Sequence, residues 1–393
     1  MPAANLAVQL GWRVRRNGLI DREGSHMKAL KLLVIGLALA SGFSHADEKT
    51  GVGKNGVALA SSPAFTAEGG EKVTMENVVR AETAKYFAEE TIKTGPNKFR
   101  HERQGIQLDN QTIIRSNFDL IYSYAVFDAS KGLSVTVPAY DLYQSVQIFD
   151  GNSITLGVVY PGETMKISPD QLTVGDHVYL FMRTQPPSLD EAGMNKLHER
   201  QDSVVVEAGS AEPYVPEVKY DLVSFNTLRE DLIKRAPKET VIWKGFVESL
   251  DAIESPYYQM TNLAGWAGLP ATQAHYFVVL PGDKAAADGK PSSMTFKAPD
   301  LQYDRKGYWS LTVYDADGWV VSKPFKISSL EAEPNADGSY TLNFNGPEGT
   351  PNNLQVPKNW NALFRAYLPK SRDSILAFEK DLTDNHKPTA AKP

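Results

Sequence analysis

Gly307-Tyr308-Trp309-Ser310-Leu311-Thr312-Val313-Tyr314-Asp315-Ala316-Asp317-Gly318 is the stretch on which the reading of this chain turns. Tyr308, Ser310, Thr312 and Tyr314 alternate with Trp309, Leu311 and Val313, the two-residue period of a strand with unlike faces. The face bearing Trp309, Leu311 and Val313 is the expected core face. Asp317-Gly318 tolerates positive φ, so a tight hairpin should follow.

Working outward, the same texture recurs as short runs rich in β-branched and aromatic residues. Around the opening stretch they are His275–Leu280, Ser293–Lys297, Trp319–Lys323, Ser339–Phe344 and Leu363–Leu368, with a second Asp337-Gly338 turn. Such turns favour antiparallel hairpins over parallel crossovers. A second β-rich region holds Thr112–Arg115, Leu120–Phe127, Leu133–Val137, Gln144–Phe149, Leu156–Tyr160, Thr164–Ile167 and Val178–Arg183. Between the two regions, Ser188-Leu189-Asp190-Glu191 and Thr227-Leu228-Arg229-Glu230 have the spacing of capping boxes. They predict helices to about Arg200 and Arg235, with another over Glu239 to Ile253. Thr74 to Lys93 predicts a helix stopped by Gly95-Pro96. Ser255–Ala271, rich in Gly, Tyr and Trp, reads as a loop.

The expected class is therefore mainly β (α+β): two antiparallel β-sandwich or jelly-roll domains joined by a helical connector. The boundaries predicted are a flexible lead-in at 47–73, an N-terminal domain at 74–187, a connector at 188–272, a C-terminal domain at 273–382 and a disordered tail at 383–393. Residues 1–46 read as a leader. Met27-Lys28-Ala29-Leu30-Lys31, the apolar run Leu32–Ala40 and Ser44-His45-Ala46 have the basic, apolar and small-residue parts of a signal peptide at 27–46. Cleavage near Ala46 and export to the periplasm or beyond follow. The apolar run is shorter than the roughly 20 residues a membrane span needs.

Without its leader the chain holds 35 Lys and Arg against 45 Asp and Glu, which argues against a nucleic-acid partner. No cysteine occurs, so packing rather than disulfides must hold the fold. Gly51-Val52-Gly53-Lys54-Asn55-Gly56 matches a dinucleotide pattern, but no strand precedes it and no helix follows. No cofactor is expected.

The opening stretch, extended through Trp319-Val320-Val321, resembles the signature of a pair of domains of unknown function numbered 1254 (N-terminal) and 1214 (C-terminal). Asn117-Phe118-Asp119-Leu120-Ile121-Tyr122-Ser123, Phe127-Asp128-Ala129-Ser130-Lys131-Gly132 and Tyr143–Asp150 carry the first resemblance. Asn335–Ser339, Asn352-Asn353, Asn359-Trp360 and Phe364–Pro369 carry the second. The chain departs from the family pattern at Leu120, where Thr is usual, and at Leu354, where Trp is usual. Both lie in segments expected to form a pocket. The resemblance fixes architecture and implies no reaction.

Asn117, Asp119 and Tyr122 bring an amide, a carboxylate and a phenol to one strand entrance, a set that suits a polar ligand or acid–base work. Asn and Asp in such a place also close turns through their own backbone. Arg365 and Tyr367 share a strand face, where Arg365 can receive a carboxylate ligand or satisfy an internal acid. Tyr308 and Trp309 complete the candidate ligand-binding set. Tyr257, Tyr258, Trp266, Trp319 and Trp360 add further aromatic surface. Asp315 and Asp317 offer oxygens to a cation, but calcium wants roughly six to eight ligands and the full loop motif is absent, so no metal is expected. His101, His177, His198, His275 and His386 show no ligand spacing.

These residues support a periplasmic protein binding a small polar or amphipathic molecule between two β-sandwich domains. The alternative is a hydrolase or lyase with Asp119 as base, Tyr122 as acid and Arg365 as anion anchor. An oligomeric structural envelope protein, a homo-oligomer, is the third reading. A catalytic Asp119 should lie in a cleft within reach of Tyr122, whereas a turn-closing one should accept from nearby amides.

Overall fold

The computed structural model describes residues 62–111 and 115–390. The leader, the glycine pattern at 51–56, most of the lead-in and the Thr112–Ile114 part of one expected strand lie outside them.

Strand β1 (Phe65–Thr66) precedes helix α1 (Val78–Thr94), which stops where Gly95 takes φ 76° and donates its N–H to Thr91 O. After β2 (Arg100–His101) come β3 (Ile121–Asp128), β4 (Leu133–Val137), β5 (Gln144–Phe149), β6 (Thr155–Val159), β7 (Glu163–Ile167) and β8 (His177–Thr184). Each expected strand from 120 to 183 is present to within one residue. Helix α2 (Glu191–Asp202) is capped by Asp190, which accepts from Gly193 N, and β9 (Val205–Ala208) follows. Two antiparallel sheets result, in the orders β2-β3-β8-β5-β6 and β7-β4-β9.

β3 is buried along its length because it has two apolar faces. Ala125 and Phe127 join Leu133, Val135, Val137 and Ile167 of the smaller sheet in one cluster. Tyr122, Tyr124 and Val126 face the other way and pack with Phe87 of α1.

The connecting region departs from expectation in three places. Helix α3 (Leu222–Glu239), after β10 (Tyr220–Asp221), begins earlier than the Thr227 box suggests, with Asp221 rather than Thr227 as its N-cap. Asp221 caps it by accepting from Ser224 N, while Thr227 turns back to donate to Val223 O inside the helix. The helix expected over Glu239–Ile253 is replaced by 3₁₀ turns at Ile242–Lys244 and Leu250–Ala252, since extended Thr240 ends α3. The expected loop Ser255–Ala271 contains helix α4 (Tyr257–Gly265). Its Met260 and Leu263 are buried with residues of α1 and α3, so tertiary packing overrides a composition poor in helix formers.

The C-terminal part runs β11 (Ala274–Val279), α5 (Lys284–Ala287), β12 (Ser292–Lys297), β13 (Trp309–Tyr314), β14 (Lys326–Ser328), β15 (Ser339–Phe344), β16 (Asn353–Leu354), β17 (Asn361–Tyr367), α6 (Arg372–Asn385) and β18 (Thr389–Ala390). Its sheets have the orders β11-β17-β13-β14 and β16-β15-β12-β18. The expected strand Trp319–Lys323 does not form. Gln111 takes both backbone groups of Val320, accepting from its N–H at 2.9 Å and donating to its carbonyl at 2.7 Å, and Pro324 has no N–H to give. The hairpin partner of β13 is β14 instead. Residues 383–390, expected to be disordered, finish α6 and add β18 to the edge of β12. Leu382 of the same helix is buried in the sheet core, which anchors the segment.

Trp309, Leu311 and Val313 do share the core face of β13, packed with Phe296, Leu342 and Phe344 of the facing sheet. The surprise is the other face. Ser310, Thr312 and Tyr314 are buried too, against residues 115–119 that lead into β3. The architecture is mixed α+β built on antiparallel sheets.

Candidate functional site

The opposite face of β13 and β17 forms a seam with the segment Arg115–Asp119. In register, Arg365 sits between Tyr276 of β11 and Ser310 of β13, so all three point to the N-terminal sheets. Arg365 is fully buried. Its Nη1 donates to Thr312 Oγ1 at 3.0 Å, and its Nη2 donates to Arg115 O at 3.0 Å and to Tyr314 Oη at 2.9 Å. Tyr314 in turn donates to Ser116 O, and Arg115 to Asn361 Oδ1. Burial opposes the Arg365 charge, but Tyr314, Tyr367 and Asp119 outweigh it and push its pKa up. The guanidinium thus remains charged and ties the two halves of the fold. Its Nε alone has no hydrogen-bond partner.

Asn117 closes a turn, as one reading of the sequence holds: its Oδ1 accepts from Asp119 N at 2.8 Å, while Nδ2 donates to Tyr367 Oη at 2.9 Å. Asp119 does neither thing foreseen for it. Its Oδ2 accepts from the Ser310 hydroxyl, and its Oδ1 lies 3.4 Å from Lys326 Nζ. Tyr122 points into the apolar cluster under β3, and its hydroxyl has no hydrogen-bond partner. Burial pushes that phenol up. Tyr308 and Tyr367 stack at 4.5 Å, with Tyr143, just before β5, edge-on to Tyr308 at 5.5 Å. Trp309 belongs to the separate core between the C-terminal sheets. Asp315 Oδ1 accepts from the amides of Asp317 and Trp319 and so holds the turn. Among the described residues no group of three or more His, Cys, Asp or Glu is placed to hold a metal.

Beside this seam lies a pocket of about 550 Å³, within the roughly 300–1,000 Å³ typical of small-molecule sites. Three distant stretches line it: residues 103–108 with 117–121, the exposed side of α2, and the run ending in β14. Asn117 is the one sequence-chosen candidate on its wall; Leu120, the family departure, is also there. Leu354, the other departure, is buried in the C-terminal core instead. Phe118 and Phe325 meet edge-on at 4.8 Å, both only half-buried, and Leu189 on the rim is 65% exposed. The polar wall holds Arg103, His198, Lys323 and Lys326 against Glu191. Burial lowers the Lys326 pKa, but Asp119 and Glu331 outweigh it and the net shift is upward, so the ammonium is charged.

None of these basic residues stood out in the sequence. They come from segments about 100 to 200 residues apart, and nothing in local periodicity joins them.

Just behind the pocket, His101 Nδ1 is 2.7 Å from Ser123 Oγ. Burial and the Arg103 charge lower its pKa from 6.5 to about 4, with Asp202 only partly offsetting them. A folded value below the unfolded one means the unfolded chain binds more protons between them. Stability is then complete above about pH 6.5 and is lost as pH falls toward 4, by up to about 3 kcal/mol. Urea midpoints across that interval should fall more steeply for the wild type than for His101→Gln. Parallel curves would show that His101 does not titrate this way.

Residues 96–174 match DUF1254 and residues 276–371 match DUF1214, each described as a protein of unknown function. The chain carries the two in that order. No curated protein matches it. Among solved structures, the VPA0106 protein from Vibrio parahaemolyticus is similar at 16% identity and TM-score 0.58, covering 81% of this chain and 98% of that one, and so shares the fold. A putative uncharacterized protein from Burkholderia cenocepacia is 15% identical at TM-score 0.39, with 75% and 83% covered.

Proposed function

We propose that this is an exported, periplasmic binding protein that holds a small amphipathic molecule in the pocket between its N-terminal and C-terminal sheets. The observation that carries the reading is the wall itself. A charged Lys326 and a half-buried Phe118–Phe325 pair face the same space of about 550 Å³. A few placed polar groups on an apolar surface are what small-molecule sites use for orientation and affinity. Each pair of facing sheets is read as one β-sandwich domain, centred on 74–187 and 273–382, with the mainly helical stretch 188–272 between them lending β9 to the first and the tail lending β18 to the second. Export rests on the basic, apolar and small-residue pattern of 27–46.

The acid–base alternative draws little from the geometry. Asp119, Tyr122 and Arg365 are all buried, and Asp119 accepts from Ser310 and pairs with Lys326. An acid must reach the substrate atom it protonates, and Tyr122 is buried with its ring against Tyr124 and Phe181.

Titration with anilinonaphthalene sulfonate, an amphipathic fluorescent probe, tests the proposal. One site per chain is expected in the wild type. Asn195→Trp, which fills the pocket from the exposed face of α2, should abolish binding, and Glu230→Trp on α3 should leave it intact. Equal binding to all three proteins would rule the pocket out.

A further inference from the structure

Resting on that pocket reading, we infer that its occupant is a single-chain aliphatic carboxylate, with the carboxylate at Lys323 and Lys326 and the chain laid along Phe118, Phe325 and Leu189. The lining carries three permanent cations, Arg103, Lys323 and Lys326, and one carboxylate, Glu191, while Asp202, Asp119 and Glu331 face Arg103 and Lys326 from outside it. They are not equally available. Arg103 is committed, donating to Asp202 Oδ1, Gln201 Oε1 and His198 O. His198 is committed in turn, with Nε2 2.8 Å from Arg103 O.

Lys326 lies between Asp119 at 3.4 Å and Glu331 at 3.6 Å and makes a close hydrogen bond with neither. An ammonium has three donors, so it retains capacity for another oxygen. Lys323, exposed on the same run of chain, has no ion pair or hydrogen bond among the described residues. An arriving carboxylate meets two ammonium groups and displaces no existing partner. A cationic headgroup would meet repulsion, and a neutral one would leave Lys323 unused.

The remainder of the wall selects the tail. Ile106, Leu108, Leu120, Ile121 and Met194 are aliphatic, and the one ring pair packs edge-on against itself, offering little stacking platform. Such a surface suits flexible methylene groups, whose burial is favourable in proportion to the apolar area they remove from water. Leu189, left 65% exposed at the mouth, is where a chain longer than the pocket would emerge.

Isothermal titration of the full chain with decanoate, decylamine and octyl glucoside, each below its micelle threshold, tests the inference. Decanoate should bind at least tenfold more tightly than decylamine. Lys323→Glu should weaken decanoate at least tenfold and leave octyl glucoside unchanged, with an unaltered melting temperature because exposed Lys323 makes no ion pair or hydrogen bond among the described residues. If octyl glucoside or decylamine binds as tightly as decanoate, and Lys323→Glu changes nothing, the carboxylate assignment is overturned while the pocket stands. If no probe binds, or all three bind equally to Asn195→Trp, the pocket reading falls with it.

Discussion

Replacing Arg365 with Met is expected to destabilise the protein by about 3–5 kcal/mol, the range for breaking a buried charged network. The guanidinium supplies donors to Thr312, Tyr314 and the carbonyls of Arg115 and Ser116, all in a fully buried seam. Methionine fills much of the volume but gives no donor, so buried acceptors lose partners at about 1–3 kcal/mol each. Arg365→Lys should recover only part of the loss. A point-like ammonium cannot reach a hydroxyl on β13 and two carbonyls of the 115–116 segment in the planar fork these positions require. Chemical denaturation measures both variants. A loss below about 1 kcal/mol for Arg365→Met would show that the seam does not depend on this residue.

Trp309→Ala should cost a comparable 3–5 kcal/mol. Trp309 is fully buried between the C-terminal sheets, 5.2 Å edge-on to Phe296 and stacked at 5.7 Å on Phe364. Removing it leaves a cavity that strands on both sides, fixed by their ladders, cannot close. Because Trp309 and Arg365 lie on opposite faces of the same sheet, the two losses should differ in kind. Trp309→Ala opens the C-terminal core, and Arg365→Met weakens its junction with the N-terminal sheets. Near-neutral stability for Trp309→Ala would mean that the face assignment of β13 is reversed.

The alternation that fixed the core face of β13 was legible because burial on one side of a sheet writes a period of two into the residues. What alternation could not tell was that Ser310, Thr312, Tyr314 and Arg365, polar enough to face water, are buried against another part of the chain. Arg365 and Tyr314 bond backbone carbonyls of residues 115 and 116, which leave no mark on side-chain identity, and Ser310 bonds Asp119 from a segment far away in sequence. The same limit hid the connector. Tyr257–Gly265 lacks helix-forming composition and is helical because α1 and α3 bury it. Trp319–Lys323 has strand composition and is not a strand, because the side chain of Gln111 occupies the backbone groups of Val320.

The candidate site divides along the same line. Asn117 was legible as a turn-closer and also lines the pocket. Lys326 was not, since its role comes from standing beside Asp119, far away in sequence, and within reach of a space that neither segment encloses alone. Family resemblance pointed at the strand entrance near Asn117, and the pocket opens beside it rather than on the buried trio.

Native mass spectrometry of the chain purified from its own cells, compared with Asn195→Trp, shows whether the pocket holds a small molecule. One extra small-molecule mass per wild-type chain is expected, released on denaturation and missing from Asn195→Trp. Bare polypeptide mass in both proteins, or the same adduct retained by Asn195→Trp, would contradict it.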